Sequence, residues 1–187
     1  LTETVCEGVV SSGLTLTSDV VGATFAWTSA AGAGITGNTT PGTGNVPSET
    51  YANSNTTSGT MTFTITPTVG ACSGPTANYV ITVEAQPPVA NAGTDFNVCV
   101  ADPISMTGND VSPGTGTWSI LAGSTGGISI DNVNQYNSNV TGFSAGGDVL
   151  NARWTATNGT CPATTSDITI TGTGVAAGRK YASLEEG

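Results

Sequence analysis

Met61-Thr62-Phe63-Thr64-Ile65-Thr66 alternates an apolar side chain with threonine at every step. Successive side chains of a strand point to opposite faces, so this period of two predicts a buried row of Met61, Phe63 and Ile65 and a wet row of threonines. Threonine suits the wet row because a β-branched side chain fits a pleated surface. The same alternation returns in Leu14-Thr15-Leu16-Thr17, while Ala23 to Thr28 and Ala77 to Val83 read as further strands. A flat array of threonines could order water as ice-binding proteins do. These runs, however, fall singly on different strands and lack the stacked period of a solenoid.

Working outward from that strand, the order of features in the first half is met again in the second. Val98-Cys99-Val100 answers Val5-Cys6-Glu7, and Thr117-Trp118-Ser119-Ile120 answers Phe25-Ala26-Trp27-Thr28. Val149 to Thr155 answers Thr60 to Thr66, Asn158-Gly159-Thr160-Cys161-Pro162 answers the Cys72 loop, and Asp167 to Thr171 answers Tyr79 to Val83. Cys6 precedes Trp27 by 21 residues and Cys99 precedes Trp118 by 19, while the two cysteine spans are 66 and 62 residues. Such agreement over a whole module indicates an internal repeat. Short strands, frequent turn residues, no helical period and a tryptophan on a central strand predict an all-β chain of two tandem immunoglobulin-like antiparallel β-sandwiches, about seven strands each. The glycine-rich stretch from Ala30 to Gly44 reads as a loop with Tyr51 tucked beneath it.

Between the copies stands Val83-Glu84-Ala85-Gln86-Pro87-Pro88-Val89. Two adjacent prolines remove two backbone donors and fix two φ angles, so neither a helix nor a central strand runs through them, and a short stiff spacer is expected. The predicted domains are therefore 1–85 and 86–174. After Gly174 the pattern stops, and 175–187 reads as a tail or linker of a different kind. No leader pattern stands at Leu1, so the expected object is a mature chain or a piece of a longer one.

Charged residues make up only 9% of the chain, and three basic residues stand against thirteen acidic ones for a net charge of −10. Nucleic acids and anionic membrane surfaces are held chiefly by Lys and Arg clusters, so neither is an expected partner. No apolar run is long enough to insert into a membrane. With no histidine in the chain, the Ser-His-Asp and Cys-His arrangements cannot form. The carboxylates are scattered singly through turns, so a catalytic pair is not expected, nor is any cofactor.

Four cysteines allow three pairings. Closure within each copy gives Cys6–Cys72 and Cys99–Cys161, each tying a first strand to the loop before the last one. A loop of that size is worth about 4 kcal/mol at most in the chain-entropy model. Metal binding is the alternative, but neither a Cys-x-x-Cys pair nor a histidine is present to complete a site. Disulfides imply an oxidising, extracellular or cell-surface location.

Val89-Ala90-Asn91-Ala92-Gly93-Thr94-Asp95-Phe96-Asn97-Val98-Cys99, then Gly114-Thr115-Gly116-Thr117-Trp118-Ser119, then Arg153-Trp154-Thr155-Ala156-Thr157-Asn158-Gly159-Thr160-Cys161 resembles the PKD-like repeats of very large secreted surface proteins of Bacteroidota. The first half resembles the companion module of those proteins through Val5-Cys6-Glu7-Gly8, Ala23 to Thr28, Thr40 to Pro47 and Thr76 to Val83. The resemblance implies a non-catalytic segment of an adhesin or surface filament exported by the type IX route, in the manner of SprB-type gliding adhesins. Its partners would be neighbouring repeats, copies of itself, or surface glycans.

Three further readings follow from single residues. Glu84, Asp95 and Asp102 flank the joint and are the candidate ligands of a stiffening calcium ion, although no Asp-x-Asp-x-Asp spacing accompanies them. Trp27 and Trp118 are expected in the cores beside the disulfides, with Trp154 pairing with Arg153 near a strand end. Exposed, these rings would serve a pair of carbohydrate-binding modules instead. Asn38, Asn55, Asn139 and Asn158 each open an Asn-x-Ser/Thr triplet and mark expected surface loops. If the chain built a filament by strand exchange, Leu1 to Glu7 or 175–187 would lie in another subunit.

Overall fold

The computed structural model describes residues 1–37, 40–99 and 104–174. The tail 175–187, Asp102 and Asn38 lie outside them. The described residues form strands and turns without a helix, and they divide into two compact units. Unit 1 comprises Leu1–Pro87 and Thr157–Ala163, and unit 2 comprises Pro88–Ala156 and Thr164–Gly187. The division falls between the two prolines, where no ladder can continue.

Unit 1 contains β1 (Thr2–Cys6), β2 (Thr24–Ala31), β3 (Ile35–Thr36), β4 (Gly42–Thr43), β5 (Ala52–Asn53), β6 (Gly59–Val69), β7 (Cys72–Ser73) and β8 (Ala77–Glu84). The main sheet runs β1-β8-β6-β2-β4, with β7 added to β6, while β3 pairs with β5. Met61, Phe63 and Ile65 of β6 and Tyr79, Ile81 and Val83 of β8 are buried, as the period of two requires. Their cluster is completed by Val5, Trp27, Ile35, Val46 and Tyr51. Tyr51 is tucked against Gly37, where a Cβ would lie 2.4 Å from its ring. The strand expected from Leu14 to Thr17 does not form. Gly13 turns the backbone at φ 71°, and the segment makes only isolated bridges, Val10 to Thr50 and Leu14 to Val46.

Unit 2 contains β9 (Phe96–Cys99), β10 (Ile104–Ser105), β11 (Thr115–Ile120), β12 (Ser129–Ile130), β13 (Asn139–Thr141), β14 (Val149–Thr157) and β15 (Thr164–Thr173). One sheet runs β11-β14-β15-β9 and the other β10-β13-β12. Leu150, Ala152, Trp154 and Ala156 alternate inward along β14 and meet Ile104, Ile130 and Val140 of the smaller sheet. Asn139 therefore belongs to a strand, not to a loop.

The sheets share one plan: β1-β8-β6-β2 corresponds to β9-β15-β14-β11. In each the first strand lies parallel to the last, which an antiparallel meander would not give. The registers correspond as well. In β8, Tyr79, Ile81 and Val83 are buried and the next residue, Glu84, stands opposite Cys6. In β15, Ile168, Ile170 and Gly172 are buried and the next residue, Thr173, stands opposite Cys99.

Phe63 is fully buried between Trp27, edge-on at 5.4 Å, and Tyr79 at 6.1 Å. Its neighbour Thr64 faces outward. Urea denaturation should show Phe63→Ala costing about 3–5 kcal/mol and Thr64→Ala within about 0.5 kcal/mol of the parent.

Candidate functional site

The feature of unit 1 that carries chemistry is the end of β1. The structure corrects the expected pairing: neither Cys6–Cys72 nor Cys99–Cys161 is present, and the sandwiches are not each closed by their own disulfide. Cys6 is bonded to Cys161 across a sequence separation of 155, with the Cα atoms 4.8 Å apart. Both cysteines of that bond are buried, whereas Cys72 and Cys99 are exposed free thiols. Cys161 lies in the turn from β14 to β15, within the Thr157–Ala163 segment that belongs to unit 1.

Local chemistry explains why this turn fits the end of β1. The Asn158 amide donates to the carbonyl of Ala85 at 2.9 Å, and the Cys161 N–H closes the turn on the carbonyl of Asn158. The carboxylate of Glu84 accepts the backbone N–H of Thr160 and, at 2.6 Å, its hydroxyl. Gly159 has φ 54°, and a Cβ on it would stand 2.0 Å from the Glu84 carboxylate, so a side chain there would displace that carboxylate from its place on the turn. Glu84, predicted as a calcium ligand, is thus held by the turn. Asp95, in unit 2, accepts the N–H of Thr169 at 2.7 Å. Among the described residues no group of three acidic, Cys or His side chains comes together as a metal site.

The tryptophans are core residues. Trp27, Trp118 and Trp154 are all buried, and Trp118 and Trp154 lie 4.9 Å apart by ring centroid. This corrects the pairing expected for Trp154. Adjacent residues of a strand face opposite ways, so Arg153 points outward and makes a two-pronged ion pair with Asp167, at 2.7 and 2.8 Å. The N-terminal strand Thr2–Cys6 pairs with β8 of its own unit.

Acidic side chains fasten several turns. Glu3 is partly desolvated, but the Tyr79 hydroxyl and the Ser12 N–H donate to its carboxylate and hold its pKa below the usual value. Burial and the Glu3 charge push the Tyr79 phenol up. The backbone N–H groups of Ser144 and Ala145 lower Asp148, and the Arg153 guanidinium lowers Asp167.

Residues 3–87 match the family model of the PKD-like domain. That match covers unit 1 apart from its first two residues and the 157–163 turn. The chain is also similar to human mucin-like protocadherin EC1-2, at 11% identity and TM-score 0.38 over 93% of this chain and 95% of that one. Similarity to human CDH23 EC21-23 reaches 14% identity and TM-score 0.43 over 94% and 72%. Protocadherin gamma B2 extracellular domains 3–6 give 11% and 0.43 over 93% and 49%. No curated protein matches the chain. Among the described residues no helix is long and apolar enough to cross a membrane.

Two measurements check this site. The chain-entropy model puts a loop of 155 residues at about 5 kcal/mol at most, so reduction or Cys161→Ser should lower unfolding free energy by several kcal/mol, while Cys72→Ser and Cys99→Ser should not. Depressed carboxyl values contribute stability that is present above the usual carboxylate range and is lost as pH falls through the folded values. Stability should therefore decline on acidification below about pH 4, and Glu3→Gln should flatten that limb in acid titrations followed by circular dichroism.

Proposed function

We propose that the chain is a non-catalytic segment of an extracellular adhesin or surface filament, a disulfide-locked stalk of PKD-like modules of the kind gliding adhesins carry. The observation that carries this reading is the parallel first-and-last strand pair, built twice and pinned in unit 1 by Cys6–Cys161. Because β1 and β8 run the same way, the chain enters the pair at one end and leaves at the other. With the disulfide reduced, opposed pulls on Thr2 and Glu84 then load all of the pairs from Thr2↔Val80 to Cys6↔Glu84 together instead of peeling them one by one.

The disulfide changes what tension can do. A pull entering at Leu1 passes along β1 to Cys6, crosses to Cys161 and leaves through β15, so the intervening chain is out of the line of force. A stalk built so does not lengthen when its modules open. Support for an exposed, oxidising location comes from the disulfide itself and from the PKD-like match. The PKD-like match and the absence of histidine support a non-catalytic role. The carbohydrate-binding alternative draws no support from the tryptophans, all three of which are buried in the cores.

Single-molecule stretching between the termini tests the proposal. Oxidised chains should release little length, and reductant should free the 155-residue loop, about 500 Å of extended chain, at forces characteristic of sheared strands. Equal extension with and without reductant, or opening at negligible force, would remove the stalk reading.

A further inference from the structure

Two cysteines remain exposed and unbonded, and the strand plan places each of them where a bonded cysteine stands in the other copy. Cys99 closes β9 opposite Thr173 as Cys6 closes β1 opposite Glu84, in the same register against the buried residues of the last strand. Cys72 follows β6 through Gly70-Ala71-Cys72, as Cys161 follows β14 through Gly159-Thr160-Cys161. The two glycines share a left-handed backbone, φ 58° and φ 54°. Cys6–Cys161 is therefore one instance of a bond between a first-strand cysteine of one copy and the turn cysteine of the next copy. Cys99 and Cys72 are the two halves of that same bond without partners.

The surface around Cys72 is built for contact. Val20, Ala23, Pro67, Val69 and Pro75 line an apolar hollow with it, and Val20, Val21 and Val69 are exposed at 57%, 96% and 39%. Nothing lies within 4 Å of a Cβ placed on Gly70, whereas the corresponding position at Gly159 is filled by Glu84. The turn that is covered in one copy is bare in the other.

We propose that Cys72 and Cys99 join successive copies of this module pair head to tail, Cys99 of one chain bonding Cys72 of the next. Among the described residues, the surface that receives the turn includes Cys99, Thr173 and Gly174, the counterparts of Cys6, Glu84 and Ala85. Two thiols lose two protons and two electrons as the S–S bond forms. A low-molecular-weight disulfide, itself reduced to two thiols, takes the electrons by exchange through a mixed disulfide. Ala71 has no hydroxyl and Thr173 no carboxylate, so the Thr160–Glu84 hydrogen bonds have no counterpart, and the link rests on the sulfur bond and the apolar hollow. The contact is heterologous, so it propagates into a chain of modules instead of closing as a dimer. This deepens the stalk reading but rests on the strand plan, and its failure would leave the stretching result standing.

The test uses the full chain in an oxidised/reduced glutathione buffer, read by non-reducing electrophoresis and peptide mapping. Parent protein should form a ladder that collapses on reduction, with Cys72–Cys99 as the cross-linked peptide and Cys6–Cys161 present in every rung before reduction. A mixture of Cys72→Ser and Cys99→Ser chains should give the Cys99–Cys72 dimer about tenfold over either symmetrical dimer, where random pairing gives about twofold, a docking preference of about 1 kcal/mol. Val20→Asp, which leaves both thiols in place, should abolish that excess. Symmetrical dimers at random ratio, a bond between Cys72 and Cys99 of one chain, glutathione adducts alone, or an excess untouched by Val20→Asp would each overturn the proposal.

Discussion

The parallel pairing of the first strand with the last is the constraint on which the rest of the structure depends. It brings Cys6 level with Glu84, and the carbonyl of Glu84 accepts the Glu7 N–H just past the ladder. From there the chain has one polar end, the Glu84 carboxylate and the Ala85 carbonyl, that needs donors. The turn after β14 supplies them through Thr160 and Asn158. The sulfur bond is therefore the covalent end of a contact that hydrogen bonding already specifies. Without the strand pairing, Cys6 would not stand where that turn can reach it.

A bond of this kind has consequences for both ends of the sequence. Because it encloses most of the chain, it limits the unfolded ensemble more than a bond closed within one module would. On the stalk reading, a pull would run through β1, the sulfur bridge and β15 and leave the intervening chain unloaded. In unit 2, Ala152 and Ala156 share the buried core with Trp154. Trp27 and Trp154 each keep an indole N–H buried without a partner, so neither core uses its full hydrogen-bonding capacity.

Much of the architecture was legible beforehand, for a physical reason. Period-two patterning is a local property, and Met61-Thr62-Phe63-Thr64-Ile65-Thr66 lies in β6 with its apolar residues inward. Leu14-Thr15-Leu16-Thr17 carries the same pattern and is not a strand, since Gly13 and the bridge at Val46 decide its course. Trp154 and its sequence neighbour Arg153 face opposite ways, because alternation along β14 buries the first and exposes the second to Asp167. Glu84 meets its donors far along the chain, at Thr160, a contact that no local pattern displays.

By itself, then, the sequence determined an all-β chain, a duplicated sandwich and cores around Trp27, Trp118 and the alternating strands, because these follow from side-chain periodicity. Only the tertiary structure decided which cysteines meet. A repeat that carries one first-strand cysteine and one turn cysteine per copy satisfies its own spacing whether the bond closes within a copy or passes to the next. That ambiguity is broken by three-dimensional register alone, through Glu84 opposite Cys6 and the Thr160 turn that docks on it.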